Sequence, residues 1–285
     1  MTDSKRILII GGCGYVGQHL AKKYRNDDWD VLLFDWVCTG NKLANFNIHI
    51  GNILDRDELV NLVGNFKPHV VIHLASYGMS GSAMLDQKCY QINVNGIMNT
   101  IEACVLGGVQ LLIYTSTYNV VFGGQVLMNG TEKCDYYPCE LHTDAYGPSK
   151  SMAERLVLEA HGKKQILFNS REKEQQNVNR NPLQTCVIRP AAIYGEDEER
   201  HFPRIINHID SGIFMFRIGQ ATVDWVYIDN LVCNFILHIH YTILYIYILN
   251  EYLCYCTTFV VILLLTPQSP LSMILVDSSI FSCSG

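Results

Sequence analysis

Ile7-Leu-Ile-Ile-Gly11-Gly12-Cys13-Gly14-Tyr15-Val16-Gly17 is the stretch that decides the fold. Four apolar residues in a row predict a strand buried on both faces. The glycines that follow carry three separate tasks. Gly11 permits a tight turn, Gly14 lets backbone N–H groups approach a pyrophosphate, and Gly17 lets the next helix pack closely on the strand. Tyr15 and Val16 open that helix, whose free N–H groups and dipole favour a phosphate. A glycine pattern alone is weak; strand before and helix after make it specific.

Outward from this turn, short apolar runs alternate with amphipathic segments of helical length. Strands are predicted at 6–10, 31–34, 47–50, 69–74, 110–114 and 185–189, and helices at 55–62, 87–106 and 149–160. The 149–160 helix places Met152, Ala153, Leu156, Val157 and Ala160 on one stripe. This order predicts an α/β fold, a doubly wound parallel sheet of Rossmann type. The second strand ends in Asp35, 18 residues after Gly17. An acid there accepts from ribose hydroxyls and repels a 2′-phosphate, so the cofactor expected is NAD rather than NADP. Residues 162–183 are polar and too long for an ordinary connection, and are expected to form an exposed insertion loop.

The chain has 285 residues and a formal net charge of −6. No basic field invites nucleic acid. The eleven cysteines are scattered, with no zinc-like spacing, so no metal is expected and the thiols are read as free, in a reducing compartment. The apolar strand begins at once, without a signal peptide, and the protein is not expected to be secreted.

A second constellation carries chemistry. The strand Leu111-Leu-Ile-Tyr-Thr-Ser116-Thr117 ends in small hydroxyls, where open α/β sheets gather their ligands. Tyr146-Gly-Pro-Ser-Lys150 then opens an amphipathic helix, with Tyr146 and Lys150 on one face. A phenol with a pKa near 10 is a poor base at neutral pH, and an adjacent ammonium lowers that value. Tyr146 is thus the candidate acid/base and Lys150 its partner. Lys150 also reaches the nicotinamide ribose, and Thr117 or Ser116 orients the substrate oxygen. His73 on a buried strand is read as a core histidine, and Arg189 as a structural anchor.

With these residues in view, residues 6–232 resemble the extended short-chain dehydrogenases/reductases, within them the 3β-hydroxysteroid dehydrogenase/isomerase group. The runs that carry the likeness are the Gly11–Gly17 turn, His73-Leu-Ala75-Ser76, Tyr114-Thr-Ser-Thr117, Tyr146–Lys150, Arg189-Pro-Ala-Ala-Ile-Tyr-Gly195 and Asp224-Trp-Val-Tyr-Ile-Asp229-Asn-Leu231. The runs from Ser76 to Gly81 and from Thr115 to Gly124 look most like the branch called family 42E. The resemblance implies a cofactor-binding set of Gly11, Gly14, Tyr15, Val16, Gly17, Asp35, Asn52, Ile53, Ala75, Lys150 and Pro190. It implies Tyr146, Lys150, Thr117 and Ser116 as the catalytic set. Asn52 stands where the family usually has Asp, which predicts a weaker hold on the adenine. The activity implied is NAD-linked oxidation of a 3β-hydroxyl on a hydrophobic steroid or sterol. Several members are membrane-bound through C-terminal segments, so the resemblance implies a place at the cytoplasmic face of the endoplasmic reticulum membrane, and a homodimer is compatible. Two rivals stand beside it: a nucleotide-sugar epimerase or dehydratase with the same Thr/Tyr/Lys set, and an NAD-binding protein without turnover.

Residues 1–230 are therefore assigned to the dinucleotide-binding domain with its catalytic residues, and 231–285 to an atypical hydrophobic tail. The tail has no Lys or Arg and two acids, Glu251 and Asp277. Three readings of it stand: a membrane segment, an ordinary buried helix, or a terminus foreign to the family's pattern in place of the rest of the substrate domain.

Overall fold

A computed structural model describes residues 4–39, 42–163, 182–212 and 224–248, with side chains up to 240 in the last segment. Six strands, β1 (Arg6–Ile10), β2 (Asp30–Asp35), β3 (Asn47–Ile50), β4 (Val70–His73), β5 (Leu111–Thr115) and β6 (Gln184–Ile188), form one sheet. Its order is β3-β2-β1-β4-β5-β6, and every pairing is parallel. The chain winds outward from β1 through β3, then crosses back to β4 on the other side of β1. The carboxyl ends of β1 and β4 thus flank the switch point where such sheets bind ligands.

Alternation along each strand builds two cores. Ile7, Ile9, Val70, Ile72, Leu111 and Ile113 face one side, and Leu8, Ile10, Val71 and Leu112 the other. The first side is covered by α1 (Tyr15–Asn26) through Leu20, Ala21 and Tyr24. The second is covered by α2 (Arg56–Phe66), α3 (Gly96–Gly107) and α4 (Tyr146–Glu159). Asp55 caps α2 by accepting from the Glu58 N–H at 3.0 Å, and Gly108, at φ 70°, ends α3 in the left-handed region.

The six strands lie within a residue or two of their predicted positions. Three features differ. Residues 87–106 are not one helix: a π-helical turn, Tyr90–Asn95, precedes α3. The extra residue in that turn swings Asn93 inward, where it is buried. Helix α4 starts at Tyr146, earlier than predicted, and Met152 faces outward rather than joining the buried stripe. Two short strands, β7 (Ala192–Tyr194) and β8 (Trp225–Tyr227), form a parallel pair beyond the main sheet. Between them lies α5 (Phe202–Asp210).

The last described helix, α6 (Ile228–Ile248), crosses the expected boundary at 230. Leu231, Val232, Phe235 and Ile239 are buried in the α1 core, so the start of the tail is part of the folded unit. Among the described residues no helix is long and apolar enough to cross a membrane. The rest of the tail, 249–285, lies outside the described residues, as do 164–181 of the expected insertion. The insertion's two ends meet: Gly162 donates to the Leu183 carbonyl at 2.8 Å, and Leu183 donates to Lys163 at 3.0 Å. Leu183, placed by the sequence in the exposed insertion, is buried.

Candidate active site

Close approach of backbones explains the glycine-rich turn. Gly11 has φ 81°, and a Cβ there would stand 2.6 Å from the Ala75 nitrogen on the loop after β4. A Cβ on Gly17 would meet the Gly12 carbonyl at 2.6 Å, so α1 rests directly on the turn. Among the described residues no side chain caps the α1 N-terminus and no acid occupies its first turn, which leaves its N–H groups for an anion. Asp35 closes the other side: its carboxylate accepts from the Cys13 and Trp36 N–H groups, both at 2.9 Å. Burial pushes its pKa up against those hydrogen bonds. This cradle fits a dinucleotide's pyrophosphate and adenosine ribose.

The remaining predicted cofactor residues divide. Ala75 donates to the Ile10 carbonyl at 3.1 Å and packs against Gly11. Val16 packs on the α1 core, and the buried Tyr15 hydroxyl, without a hydrogen-bond partner among the described residues, faces Gly195. The Asn52 side-chain oxygen already accepts from the Leu54 N–H at 3.0 Å. Ile53 packs beneath Gly96, its carbonyl held by Asn99 at 3.0 Å. Pro190 accepts from the Tyr118 N–H at 3.4 Å, beside the loop that follows β5.

Tyr146 and Lys150 both lie buried on the first turns of α4. The expected lowering of the phenol's pKa by Lys150 is not what the geometry gives. Lys150 Nζ donates to the Thr115 carbonyl at 2.7 Å and sits 4.2 Å over the Tyr114 ring. Burial lowers its pKa to about 7, against the opposing pull of Glu154. The Tyr146 phenol is pushed up to about 12 by its own burial; a hydrogen bond with Ser76 and the charge of Arg200 act to lower it. A buried ammonium takes the nearest carbonyl, and here that is Thr115.

The two hydroxyls also part company. Thr117 Oγ1 accepts from the Asn119 N–H at 3.3 Å, capping the short turn after β5. Ser116 instead donates to Glu154 at 2.5 Å. Glu154 is fully buried, accepts from Tyr136 at 2.8 Å, and pairs with Arg189. Ser116 is thereby committed to a buried network rather than free for a substrate, and Arg189 anchors the same network. His73 is a core residue, its ring nitrogens 3.1 Å from Thr100 Oγ1 and 3.2 Å from the Ala75 carbonyl.

Asn93, absent from the sequence reading, positions this site. Its oxygen accepts from the Tyr77 N–H at 2.8 Å, and its amide donates to the Tyr77 carbonyl at 3.0 Å and to Ser149 at 2.9 Å. It therefore ties the loop carrying Ser76 to the helix carrying Tyr146. Its local sequence gives little sign of this, since Gln91 and Asn95 flank it in the same turn. Among the described residues no group of three His, Cys, Asp or Glu could hold a metal ion.

Residues 8–244 match the sequence pattern of the 3-beta hydroxysteroid dehydrogenase/isomerase family. The chain belongs to that family. Short-chain dehydrogenase/reductase family 42E member 1 of Mus musculus is 40% identical over 230 residues, covering 79% of this chain and 56% of that protein. The decarboxylating sterol-4-alpha-carboxylate 3-dehydrogenase of Saccharomyces cerevisiae is 31% identical over 244 residues, covering 81% of this chain and 63% of that one. The chain thus spans little more than half the length of these relatives. In fold it is similar to a UDP-glucose 4-epimerase from Brucella ovis solved with NAD, with a TM-score of 0.68 at 18% identity, over 92% of this chain and 78% of that one.

Proposed function

We propose that this protein is an NAD-dependent dehydrogenase that oxidises the 3β-hydroxyl of a steroid or sterol to a ketone. The observation that carries the reading is Tyr146, buried at the head of α4, with Lys150 one turn further on. The yeast relative's name, and that of a 3-beta-hydroxysteroid dehydrogenase of Mycolicibacterium neoaurum 28% identical over 244 residues, support a sterol alcohol as substrate. The cradle at Gly11–Gly17 and Asp35 supports NAD, which the Brucella ovis structure also holds.

NAD, when bound, supplies the hydride acceptor. The chain's own residues hold and move the proton. Tyr146 takes it from the carbinol, and must be ionised to do so. Burial opposes that ionisation, while the Ser76 hydroxyl and the Arg200 charge favour it. Lys150, held by the Thr115 carbonyl at the end of β5, would hold the nicotinamide ribose, and Thr117 would orient the carbinol oxygen. Such a substrate partitions into lipid, which supports a place of action at the cytoplasmic face of the endoplasmic reticulum membrane.

The test is NADH formation from a 3β-hydroxysteroid, with the 3α epimer as control. Tyr146→Phe is expected to remove nearly all turnover while NAD affinity stays within about twofold. Lys150→Met is expected to damage both. A Tyr146→Phe protein that keeps most of its rate would move the base elsewhere.

A further inference from the structure

Tyr146 is 6% exposed, too little for a carbinol to reach its phenol at hydrogen-bond distance. The cover over it is uneven. Tyr146 clusters with Cys89 and Ala145, and Tyr77, Met84 and Tyr90 pack on that cluster. Two of these are anchored: Asn93 holds the Tyr77 N–H and carbonyl, and Tyr90 opens the π-helical turn. The chain between them is not. No residue from 79 to 88 is buried, and Met79 and Leu85 stand 41% and 65% exposed.

Among the described residues, two hydrogen bonds hold 79–88 to the molecule beyond its flanks. Ala145 donates to the Met84 carbonyl at 2.8 Å. Arg200, exposed just ahead of α5, brings Nη1 to 3.4 Å from the Met79 sulfur, a weak acceptor. Other bonds close within the segment or on its flanks, as where Tyr77 donates to Asp86 at 3.1 Å and Asp86 to the Ala83 carbonyl at 3.2 Å. Gly78 and Gly81 bend it, at φ 87° and 66°, the region where a chain pivots without a Cβ in the way. Beneath it the Cys89 thiol, 0% exposed, donates to the Ala83 carbonyl at 3.3 Å, so thiol and phenol share one cover. Few buried contacts and few outside bonds mark a segment that opens while the rest stays folded.

We propose that residues 79–88 are a strap that swings on Gly78 and Gly81 to admit substrate to Tyr146, while the sheet and α4 stay folded. The proposal rests on the dehydrogenase reading in one respect, that Tyr146 is the residue the carbinol must meet.

The experiment labels the full chain with N-ethylmaleimide and reads each cysteine by peptide mass spectrometry. Cys104, equally buried but in the core beneath α3, is the internal reference for global unfolding. Cys89 is expected to label at least about a hundredfold faster than Cys104, with little dependence on urea below the unfolding transition. In Gly81→Ala the new Cβ meets nothing within 4 Å, yet its φ of 66° strains the closed strap alone. Cys89 should then label about five- to tenfold faster, with Cys104 unchanged. Tyr146→Cys sets a thiol at the phenol's own position, and it should label in step with Cys89. Labelling of Cys89 together with Cys104, at one urea dependence, overturns the strap, as does a Cys89 rate that Gly81→Ala leaves unchanged. A fast Cys89 beside a slow thiol at 146 overturns its role at the site. Should Tyr146→Cys not fold, the two rates in the unaltered chain still decide. No steroid enters the measurement, so the strap can fall while the dehydrogenase reading stands, and the absence of NADH formation fells that reading alone.

Discussion

Asp35 does two things at once, and a substitution separates them. Its carboxylate fixes the glycine-rich turn through the Cys13 N–H, and in the proposed site it would set negative charge beside the ribose. The chain is expected to bind NAD at least about tenfold more tightly than NADP, because a phosphate beside a carboxylate is repelled. Asp35→Ala should narrow that gap and also weaken NAD, since the turn loses an anchor; titration of both dinucleotides reads both effects. Equal affinities in the unaltered protein would remove Asp35 from this role. His73 gives a second residue-scale prediction. Burial, helped by the Lys150 charge, lowers its pKa from 6.5 to about 3. The folded state keeps it neutral while the unfolded chain protonates it, so the unfolded state binds more protons between those values. Stability contributed by the neutral ring is present above pH 6.5 and is lost as pH falls toward 3. Urea midpoints should drop across that window, and drop less steeply in His73→Asn. An unchanged slope would mean that His73 titrates normally.

At the scale of elements, α4 is the hinge of the site: Tyr146, Lys150 and Glu154 follow one another at single-turn spacing on its buried side. Glu154→Met strands the Arg189 guanidinium, 3% exposed, without its charge partner. Removing one member of a buried pair costs about 3–5 kcal/mol, and chemical denaturation should show it. Asn93→Ala leaves the Tyr77 N–H and carbonyl without their partner, at about 1–3 kcal/mol for a group left unsatisfied. It should also lower turnover by freeing the Ser76 loop. The sequence made the six main strands legible because strands covered on both faces read as continuous apolar runs. It made the cofactor turn legible because only glycine tolerates the contact between Gly11 and Ala75. Helix α6 was harder to see. Its surroundings are apolar on every side, so Leu231, Val232, Phe235 and Ile239 do not stand out as a stripe, though their spacing is helical. The strands β7 and β8 are three residues each, too short for a period to register. Arg200 was invisible for another reason: nothing local says that the segment before α5 folds back to Met79. Ser116 was over-read, since a hydroxyl at a strand end does not reveal that Glu154 waits beneath it.

On the scale of the whole molecule, the switch point joins what the sheet separates. The turn after β1, the end of β2 and the loops after β4, β5 and β6 all present residues to one edge, while α1 and α6 close one face and α2, α3 and α4 the other. A dinucleotide seated along that edge, as proposed, would touch both halves of the sheet, so its binding energy would oppose unfolding of the unit rather than of one loop. For a ligand that binds only the folded state, the gain is about 2.7 kcal/mol at 100 times its Kd. NAD should therefore raise the urea midpoint of the chain, and NADP at equal concentration should raise it less. Gly11→Ala is the decisive variant. Its Cβ would lie 2.6 Å from a backbone nitrogen, at a φ of 81° that alanine rarely adopts, so the turn must shift off the β4 loop. The variant should lose some stability on its own account, but the larger effect should be the disappearance of the NAD-dependent increment. An increment that survives in Gly11→Ala would place the dinucleotide away from this turn. An increment lost there yet present in Tyr146→Phe would separate the cofactor's seat from the chemistry it serves.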